Sequence, residues 1–481
     1  MNVIPDGIER TITDTTLVMK SHLDTIDVEL SCAVPASIAL ETVTTQISLV
    51  GDIQGDSLTN LGNLLAQPSE CGEQNLARFA TTIFIYDYMR LTGQLSDEIH
   101  RKIMDYIEGR SDLQGGMQKH MTLRMPDGSY RFFKKKVNPS TFLTAFTIKV
   151  FRKAQTFMQI DQNLIDTAFA WLLTRQEADG GFYENLDDLY NTHHGGLKDK
   201  TALAAYIAII FSQVLKEARN PQYETALNNA INYIIRTADD ENAYQLAITC
   251  YALFLTDHPI FQSKYDKLIS MARQTGDLMY WEVTAGSVLN VETAANALLF
   301  ISKINYVQSV KIAKYIVSKK NANGSWGTTT DTVTAIESLT AFSDLTRGYN
   351  GGLDVMVWPK PNGNVFTLEI DANNLLKLHT FALEPQVRRV TVMVEGPAAG
   401  QVTVSFTCRY FEKFEQFAPR FKVDFGILEN CRTPLKMQVC VSFIEKPGDT
   451  RSNMVLVKMN MPSGYIFDPA TPLSPLIQVK S

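Results

Sequence analysis

The sequence predicts a multidomain protein of mixed α and β structure, in which a helical block folded as an α/α toroid is inserted between β segments and followed by more β chain. Three observations predict it: period-two alternation of apolar residues toward both ends, helical spacing of apolar residues from about 70 to 345, and glycine-centred turns that recur within the helical stretch.

Near the start, Ile26, Val28, Leu30, Cys32 and Val34 fall on one face of an extended chain, the pattern of a strand with one buried side. The helical block opens with Leu76, Phe79, Ile83 and Tyr86 at helical spacing and closes with Val333, Ile336 and Leu339. Six of its segments are strongly apolar and rich in Ala and Thr: QNLARFATTIFIYDYM from Gln74, TFLTAFTIKVF from Thr141, TALAAYIAIIF from Thr201, LAITCYALFL from Leu246, ETAANALLFI from Glu292 and DTVTAIESLTAF from Asp331. A helix apolar nearly all round is buried, whereas the more charged segments between these six belong outside. Turns of one kind precede several of them: Asp127-Gly128-Ser129-Tyr130, Asp179-Gly180-Gly181-Phe182 and Asn323-Gly324-Ser325-Trp326. Hairpins repeating at about 40 to 60 residues imply six inner helices ringed by outer ones, with an ordinary helical bundle as the alternative. From about 350 onward the chain reads as β. In VMVWPKPNGNVFTLEI, from Val355 to Ile370, Asn362-Gly363 tolerates the positive φ angles of a tight hairpin, and Leu435, Met437, Val439, Val441 and Phe443 alternate further on.

At 481 residues the chain has length for roughly three domains, and its 45% apolar content can fill their cores, which excludes general disorder. Lys plus Arg number 45 against 51 Asp plus Glu, a formal net charge of -6, so no basic field gathers nucleic acid. No uncharged apolar run reaches the length of about 18 residues that spans a bilayer, and MNVIPDGIER lacks the basic start and apolar stretch of a signal peptide. The six cysteines, at 32, 71, 250, 408, 431 and 440, are too sparse for a disulfide framework and include no CxxC pair. The seven histidines show no ligand spacing, so neither a metal nor another cofactor is expected.

The sharpest chemical signal is Cys71-Gly72-Glu73-Gln74, which opens the first apolar helix. A thiol three residues before a side-chain amide can displace ammonia and close a ring of about fifteen atoms, an internal thioester. Gly72 supplies the backbone freedom that such a ring needs. The acyl carbon is then far more electrophilic than that of an amide, because a thiolate with a parent pKa of about 8.5 leaves readily. A helix start also aims free backbone N–H groups at charge growing on the acyl oxygen. Without that chemistry, Cys71 reads as a core residue, Glu73 as a complement to the helix dipole and Gln74 as a first-turn polar residue.

The match extends beyond four letters. IPDGIERT, ISLVGDIQGDSLTNLGNLLAQPSECGEQN, PSTFLTAFTIKVF, DGGFYEN, HHGGL and NVETAANALL follow one another in an order that resembles the thioester-containing protein family, which embraces alpha-2-macroglobulin, the central complement components and insect thioester proteins. The resemblance runs over essentially the whole chain and implies the C-terminal part of such a protein. It implies a six-hairpin thioester domain at 49–345, inserted in a CUB-type β domain whose halves are 1–48 and 346–390. It further implies a macroglobulin-type receptor-binding β-sandwich at 391–481, expected to be truncated at PLIQVKS.

Two positions depart from the family pattern. Glu70 stands where members usually carry glycine, crowding the ring or placing negative charge near the acyl group. Tyr190 stands five positions before Gly195-Gly196, where members similar to the main complement components carry the histidine that attacks the thioester. A phenol with a pKa of about 10 is a poor nucleophile at neutral pH, so direct attack by amines is the expected path and amides the expected products. His193 or His194 substitutes for the missing histidine if the loop is shifted by one turn; otherwise both belong to a surface loop.

The other features read as structure. Lys134, Lys135 and Lys136 form a solvated basic run, with attraction to anionic cell surfaces as the alternative. Asn323 is a glycosylation acceptor if the chain is secreted. Trp171, Trp281, Trp326 and Trp358 fit packing at helix ends or strands, and Cys431 and Cys440 are not expected to pair. Phe79, Tyr86 and Tyr88 are expected to shield the acyl group from water.

Function follows as an expectation from the resemblance: a secreted, extracellular protein of innate immunity that tags a target by one acyl transfer, without turnover and so not as an enzyme. Its partners would be amines or hydroxyls of a target surface, an activating protease and a cell-surface receptor for the last β domain. The alternatives are a protease trap of the alpha-2-macroglobulin sort and a non-covalent scaffold that never closes the ring. A toroid glycosidase finds no acid pair, since Asp187 and Asp188 read as a solvated loop pair.

Overall fold

The computed structural model describes residues 8–21, 24–35, 38, 42–55, 71–108, 116–134, 138–184, 195–283, 289–322, 324–346, 352–361, 363–412, 421–429 and 436–445. The chain divides into one unit of Met1–Pro5 and Glu9–Phe411 and a second of Asp6–Ile8 and Glu412–Ser481.

The first unit begins with strands β1 (Ile8–Lys20), β2 (Ile26–Ser31) and β3 (Thr44–Val50). Twelve helices among the described residues follow: α1 (Gly72–Leu91), α2 (Asp97–Glu108), α3 (Gly116–Met121), α4 (Thr141–Ala154), α5 (Gln162–Leu173), α6 (Lys200–Leu215), α7 (Pro221–Thr237), α8 (Ala243–Leu255), α9 (Phe261–Ser270), α10 (Leu289–Ile301), α11 (Tyr306–Ser318) and α12 (Thr329–Ser343). A short hairpin of β4 (Arg273–Thr275) and β5 (Leu278–Tyr280) sits between α9 and α10. Then come β6 (Leu353–Lys360), β7 (Phe366–Ile370), β8 (His379–Leu383), β9 (Arg389–Glu395) and β10 (Gly400–Glu412).

The six apolar segments are α1, α4, α6, α8, α10 and α12. Each packs on the next in that order, and α12 packs back on α1, so the contacts close on themselves. α10 is buried at every residue from Asn290 to Ile301, whereas α9 buries only Leu268, the difference that the charge pattern foretold. Side-chain caps fix the starts: Ser140 receives Leu143 N–H, Asp199 receives Ala202 N–H, and Thr328 with Asp331 forms a capping box on α12.

The three recurrent turns share one geometry. Gly128, Gly180 and Gly324 have φ of 92°, 93° and 71°, a region that side chains disfavour. The N–H groups of Met125, Glu177 and Asn321 each donate to a carbonyl four residues on, of Ser129, Gly181 and Ser325, all at 2.8 Å. Each turn therefore reverses the chain in the same way ahead of an inner helix.

Strands from before and after the helices interleave in two sheets, ordered β1-β10-β3-β8 and β2-β9-β6-β7. Val28 lies opposite Val392, Ile47 opposite Phe406 and Val355 opposite Val394, in antiparallel register. Alternate side chains point inward, so Ile47, Leu49 and Phe406 of one sheet meet Leu30, Val357 and Val392 of the other in a single core. A disulfide joins Cys32 to Cys408 across 376 positions of sequence.

This topology moves a boundary. β10 and nearly all of β9 lie beyond residue 390, yet they pair with β2, β3 and β6, so the sandwich runs to Phe411 and the second unit resumes at Glu412 rather than 391. The disulfide is a single bridge that the sequence, which excluded only a framework of bridges, left open. The β6–β7 hairpin forms as read, with Leu353 opposite Ile370, but Gly363 does not take a positive φ. Glycine is needed there because a Cβ would collide with the Pro359 ring. In the second unit, β11 (Phe421–Glu429) and β12 (Lys436–Phe443) form an antiparallel hairpin with Val423 opposite Val441. Cys440 there is exposed and carries no disulfide, while Cys431 lies outside the described residues.

Buried polar groups tie the helices to the sandwich. Asp52, just past β3, accepts the Tyr88 hydroxyl at 2.5 Å, the Gln54 N–H at 2.7 Å and Gln94 Nε2 at 3.2 Å. Its carbonyl receives the Thr403 hydroxyl of β10 at 3.0 Å, and Lys320 Nζ donates to the Ile53 carbonyl at 2.8 Å.

Candidate functional site

Cys71 is the N-cap of α1, extended at φ -79° and ψ 124°, and its carbonyl accepts the first intrahelical bond from Asn75 N–H at 3.0 Å. It is half-buried and packed against the helical core, and its side chain makes no capping bond. Gly72 is helical, so backbone freedom is not what it supplies. A Cβ there would lie 2.8 Å from Leu123 Cδ1 and 3.0 Å from both the Arg131 carbonyl and Leu143 Cδ2. Glycine lets the start of α1 sit against the strand-like segment behind it. Gly72 N–H donates to the Phe132 carbonyl at 2.8 Å, which removes it from the donors expected to face an acyl oxygen.

Glu73 turns inward instead of complementing the helix dipole in solvent. Its residue is 2% exposed, Oε1 receives the Thr329 hydroxyl at 3.4 Å, and Oε2 is a buried acceptor with no hydrogen-bond partner. Burial raises its carboxyl to about 8, against which the hydroxyls of Thr329 and Thr330 pull only weakly. At neutral pH Glu73 is largely uncharged. Gln74, half-buried, follows Cys71 by three residues, a spacing that places both on neighbouring positions of a helix surface. Asn75, whose role the sequence did not disclose, is buried and donates from Nδ2 to the Gly116 carbonyl at 2.8 Å, holding α3 beside the motif.

Glu73 and Ala77 also line a narrow cavity of about 30 Å³ inside the ring of helices, room for a water or two. Lys149, which also lines it, pairs with Glu337 at 2.6 Å, its Nζ 5.3 Å from the centre of the Tyr206 ring. On its far wall Tyr244 O–H donates to Glu292 Oε1 at 2.6 Å, and Gly196 N–H reaches Glu292 Oε2 at 3.5 Å. Burial raises Glu292 to about 7 and Asp331 to about 6. These buried acids share one cause: an apolar ring with few counter-charges.

Phe79, Tyr86 and Tyr88 are core residues, Tyr86 bonded to His100 Nδ1 at 3.0 Å and Tyr88 to Asp52 at the C-terminal end of α1. The four tryptophans are structural, Trp281 and Trp326 each donating from Nε1 to a helix carbonyl, of Leu268 at 2.7 Å and Ile316 at 2.8 Å. Glu70, Tyr190, His193, His194 and Asn323 lie outside the described residues, as do Asp187, Asp188, Lys135 and Lys136. Among the described residues no three His, Cys, Asp or Glu side chains converge as metal ligands, and no helix is long and apolar enough to cross a membrane.

Glu184 and Glu292 were missed by the sequence reasoning as site-building residues. Glu184 accepts Phe142 N–H at 2.6 Å, Thr141 N–H at 3.1 Å and the Ser140 hydroxyl at 3.2 Å. The available signal was a carboxylate inside an otherwise apolar landmark, as in DGGFYEN and NVETAANALL.

Comparison with known proteins gives a consistent result. A family model described as the A-macroglobulin TED domain matches residues 43–342. The chain is 29% identical over 425 residues to thioester-containing protein 1 allele S1 of Anopheles gambiae, covering 85% of this chain and 30% of that protein. It is 28% identical over 493 residues to ovostatin of Gallus gallus, covering 96% of this chain and 32% of that protein. The chain thus spans about a third of the length of these relatives.

Proposed function

The chain belongs to the A-macroglobulin family that carries the TED domain, and on that premise we propose that it forms an internal thioester between Cys71 and Gln74 and spends it in one acyl transfer. In ring closure Cys71 Sγ bonds to Gln74 Cδ, and the amide nitrogen departs as ammonia with the thiol proton. In transfer a target amine attacks that carbon, the Cys71 thiolate leaves, and the nitrogen gives up a proton. The reaction is stoichiometric, with the enzyme label inapplicable.

The observation that carries this reading is the placement of Cys71-Gly72-Glu73-Gln74 across the cap and first turn of a buried helix, with Cys71 half-buried and the neighbouring chain packed closely against Gly72. The closed packing of six inner helices supports the α/α toroid, and the discontinuous sandwich supports the CUB-type domain. Extracellular, secreted location draws support from the Cys32–Cys408 disulfide, since such bonds persist in oxidising compartments. The setting we favour is opsonin-like labelling of target surfaces in innate immunity, triggered by proteolysis, with Tyr190 steering the acyl group to amines and the last β domain offered to a receptor. Relatives include ovostatin, and protease trapping is the second reading.

Intact mass before and after methylamine tests the reaction. Uptake of one methylamine with appearance of one titratable thiol is expected; an unchanged mass with a thiol titratable from the outset supports the scaffold reading instead.

A further inference from the structure

His120, near the end of α3, is wholly buried and belongs neither to the Cys71–Gln74 motif nor to the cavity inside the ring of helices. Its proton can be placed by counting. Thr147 has one hydroxyl proton and gives it to the Leu143 carbonyl at 2.8 Å, so in the 2.8 Å contact between Thr147 Oγ1 and His120 Nε2 the histidine donates. The proton of the neutral ring therefore sits on Nε2, and Nδ1 is left as a buried acceptor with no hydrogen-bond partner. That ring lies flat on Tyr130, with centroids 4.8 Å apart and planes 8° from parallel, and Phe151 stands edge-on at 6.1 Å. Tyr130 belongs to the chain packed behind Cys71. Leu123 N–H donates to the His120 carbonyl at 2.9 Å, Arg131 N–H to the Leu123 carbonyl at 3.2 Å, and Gly72 N–H to the Phe132 carbonyl at 2.8 Å. An unbroken line of contacts joins the histidine to the residue beside Cys71.

We propose that neutral His120 is a positioning residue that holds residues 123–132 against the start of α1, and that acid releases them by adding a proton at Nδ1, opening the Cys71–Gln74 bond to nucleophiles. The proposal rests on the acyl-transfer reading and adds its regulation. A proton at Nδ1 creates a buried cation whose new N–H has no acceptor. The surrounding groups give little relief. They are Tyr130 and Tyr106, phenols that burial keeps neutral, with Arg124 beside the first, Arg78 of α1 beside the second, and Lys119 on α3 itself. From α4 come Thr147 and Phe151, which carry no charge. The Tyr130 face attracts a cation only weakly and offers the in-plane N–H nothing to bond. Burial alone holds the imidazole down at about 3, against an ordinary 6.5. Because the folded value is the lower one, the hold is complete above pH 6.5 and is lost as pH falls from there toward 3. Glu73 gains its proton on acidification and so acts in the opposite sense, but its partners are Thr329 and Thr330 of α12, and comparison with a variant at one pH cancels it.

The test uses the whole chain, wild type and His120→Gln, whose amide keeps a donor for Thr147 and does not ionise. Amide hydrogen exchange, corrected for the intrinsic effect of pH, is read at Gly72, Leu123 and Arg131, with α8 and α10 as reference helices. In wild type the opening of these amides should rise about 25-fold from pH 7 to pH 5, while the variant and the reference helices stay level. Hydroxylamine, still a nucleophile at pH 5, supplies the second readout. Its nitrogen bonds to Gln74 Cδ, the bond to Cys71 Sγ breaks, and the nitrogen proton passes to the thiolate, leaving a hydroxamate. The ratio of wild-type to variant rate should rise by the same factor of about 25 between pH 7 and pH 5. Unchanged wild-type exchange, an equal acid loss in the variant, or a loss spread equally over α8 and α10 overturns the proposal, as does a level rate ratio beside acid-sensitive exchange. If the variant does not fold, wild type decides: a rise of about tenfold per pH unit below 6.5, confined to the Gly72, Leu123 and Arg131 amides, is required. If wild type takes up neither methylamine nor hydroxylamine at pH 7, it is the acyl-transfer reading that fails, and the exchange readout then judges the hold of His120 alone.

Discussion

The two ends of α1 are built on opposite plans. At its C-terminal end Tyr88 meets Asp52, whose carboxylate takes donors on both oxygens, 2.7 Å from Gln54 N–H and 2.5 and 3.2 Å from Tyr88 and Gln94. At its N-terminal end Glu73 is equally buried, yet only the hydroxyls of Thr329, 3.4 Å from Oε1, and Thr330 ease its charge, and Oε2 has no hydrogen-bond partner. Burial raises the carboxyl pKa at both ends. The difference teaches that a buried acid stabilises the fold when its donors are supplied and costs stability when they are not. One end is a joint; the other holds the motif proposed to form the thioester, on ground that favours the uncharged state.

Substitutions at the two ends should therefore differ in sign. Asp52→Ala strands three buried donors and should cost about 4 kcal/mol, read as a lower denaturation midpoint. Glu73→Gln should stabilise, and the gain should depend on pH. The folded chain keeps the Glu73 proton up to about pH 8, whereas the unfolded chain loses it near 4.5, so wild-type stability is full below 4.5 and falls until about 8. The variant lacks that loss and should gain up to about 5 kcal/mol on wild type between pH 4.5 and 8 in parallel melts. A flat difference across that range would erase the contrast between the ends. Gly72→Ala should cost about 1 to 2 kcal/mol, because Leu123 and Leu143 must give way, and should also slow ring closure, seen as a lower fraction of methylamine-reactive chain. Smallest in its reach is Tyr190→His, which should raise ester over amide products with glycerol and methylamine supplied together.

The same contrast between local and distant partners explains what the sequence disclosed. The six inner helices were legible because burial all round demands an apolar sequence all round, and the three turns because Gly128, Gly180 and Gly324 take φ angles that side chains resist. By contrast, β9 and β10 alternate as any strand does, and nothing local tells that they pair with β2 and β3 more than 350 residues earlier rather than with the chain that follows. The Cys32–Cys408 bridge was hidden for the same reason. β1 was passed over because IERTITDTTLVMK interleaves threonine with its apolar residues and blurs the alternation. At the site, Glu73 reads as a solvent-facing helix-start acid until Thr329 is brought beside it, and Glu292 as a stray charge until Tyr244 and Gly196 close around it.

The most direct measurement is peptide mapping after labelled methylamine. The account predicts label confined to the side chain of residue 74 together with a thiol at residue 71 that becomes alkylatable only after the amine has reacted. An unlabelled Gln74 carboxamide, beside a Cys71 that alkylates equally with and without amine, would contradict it.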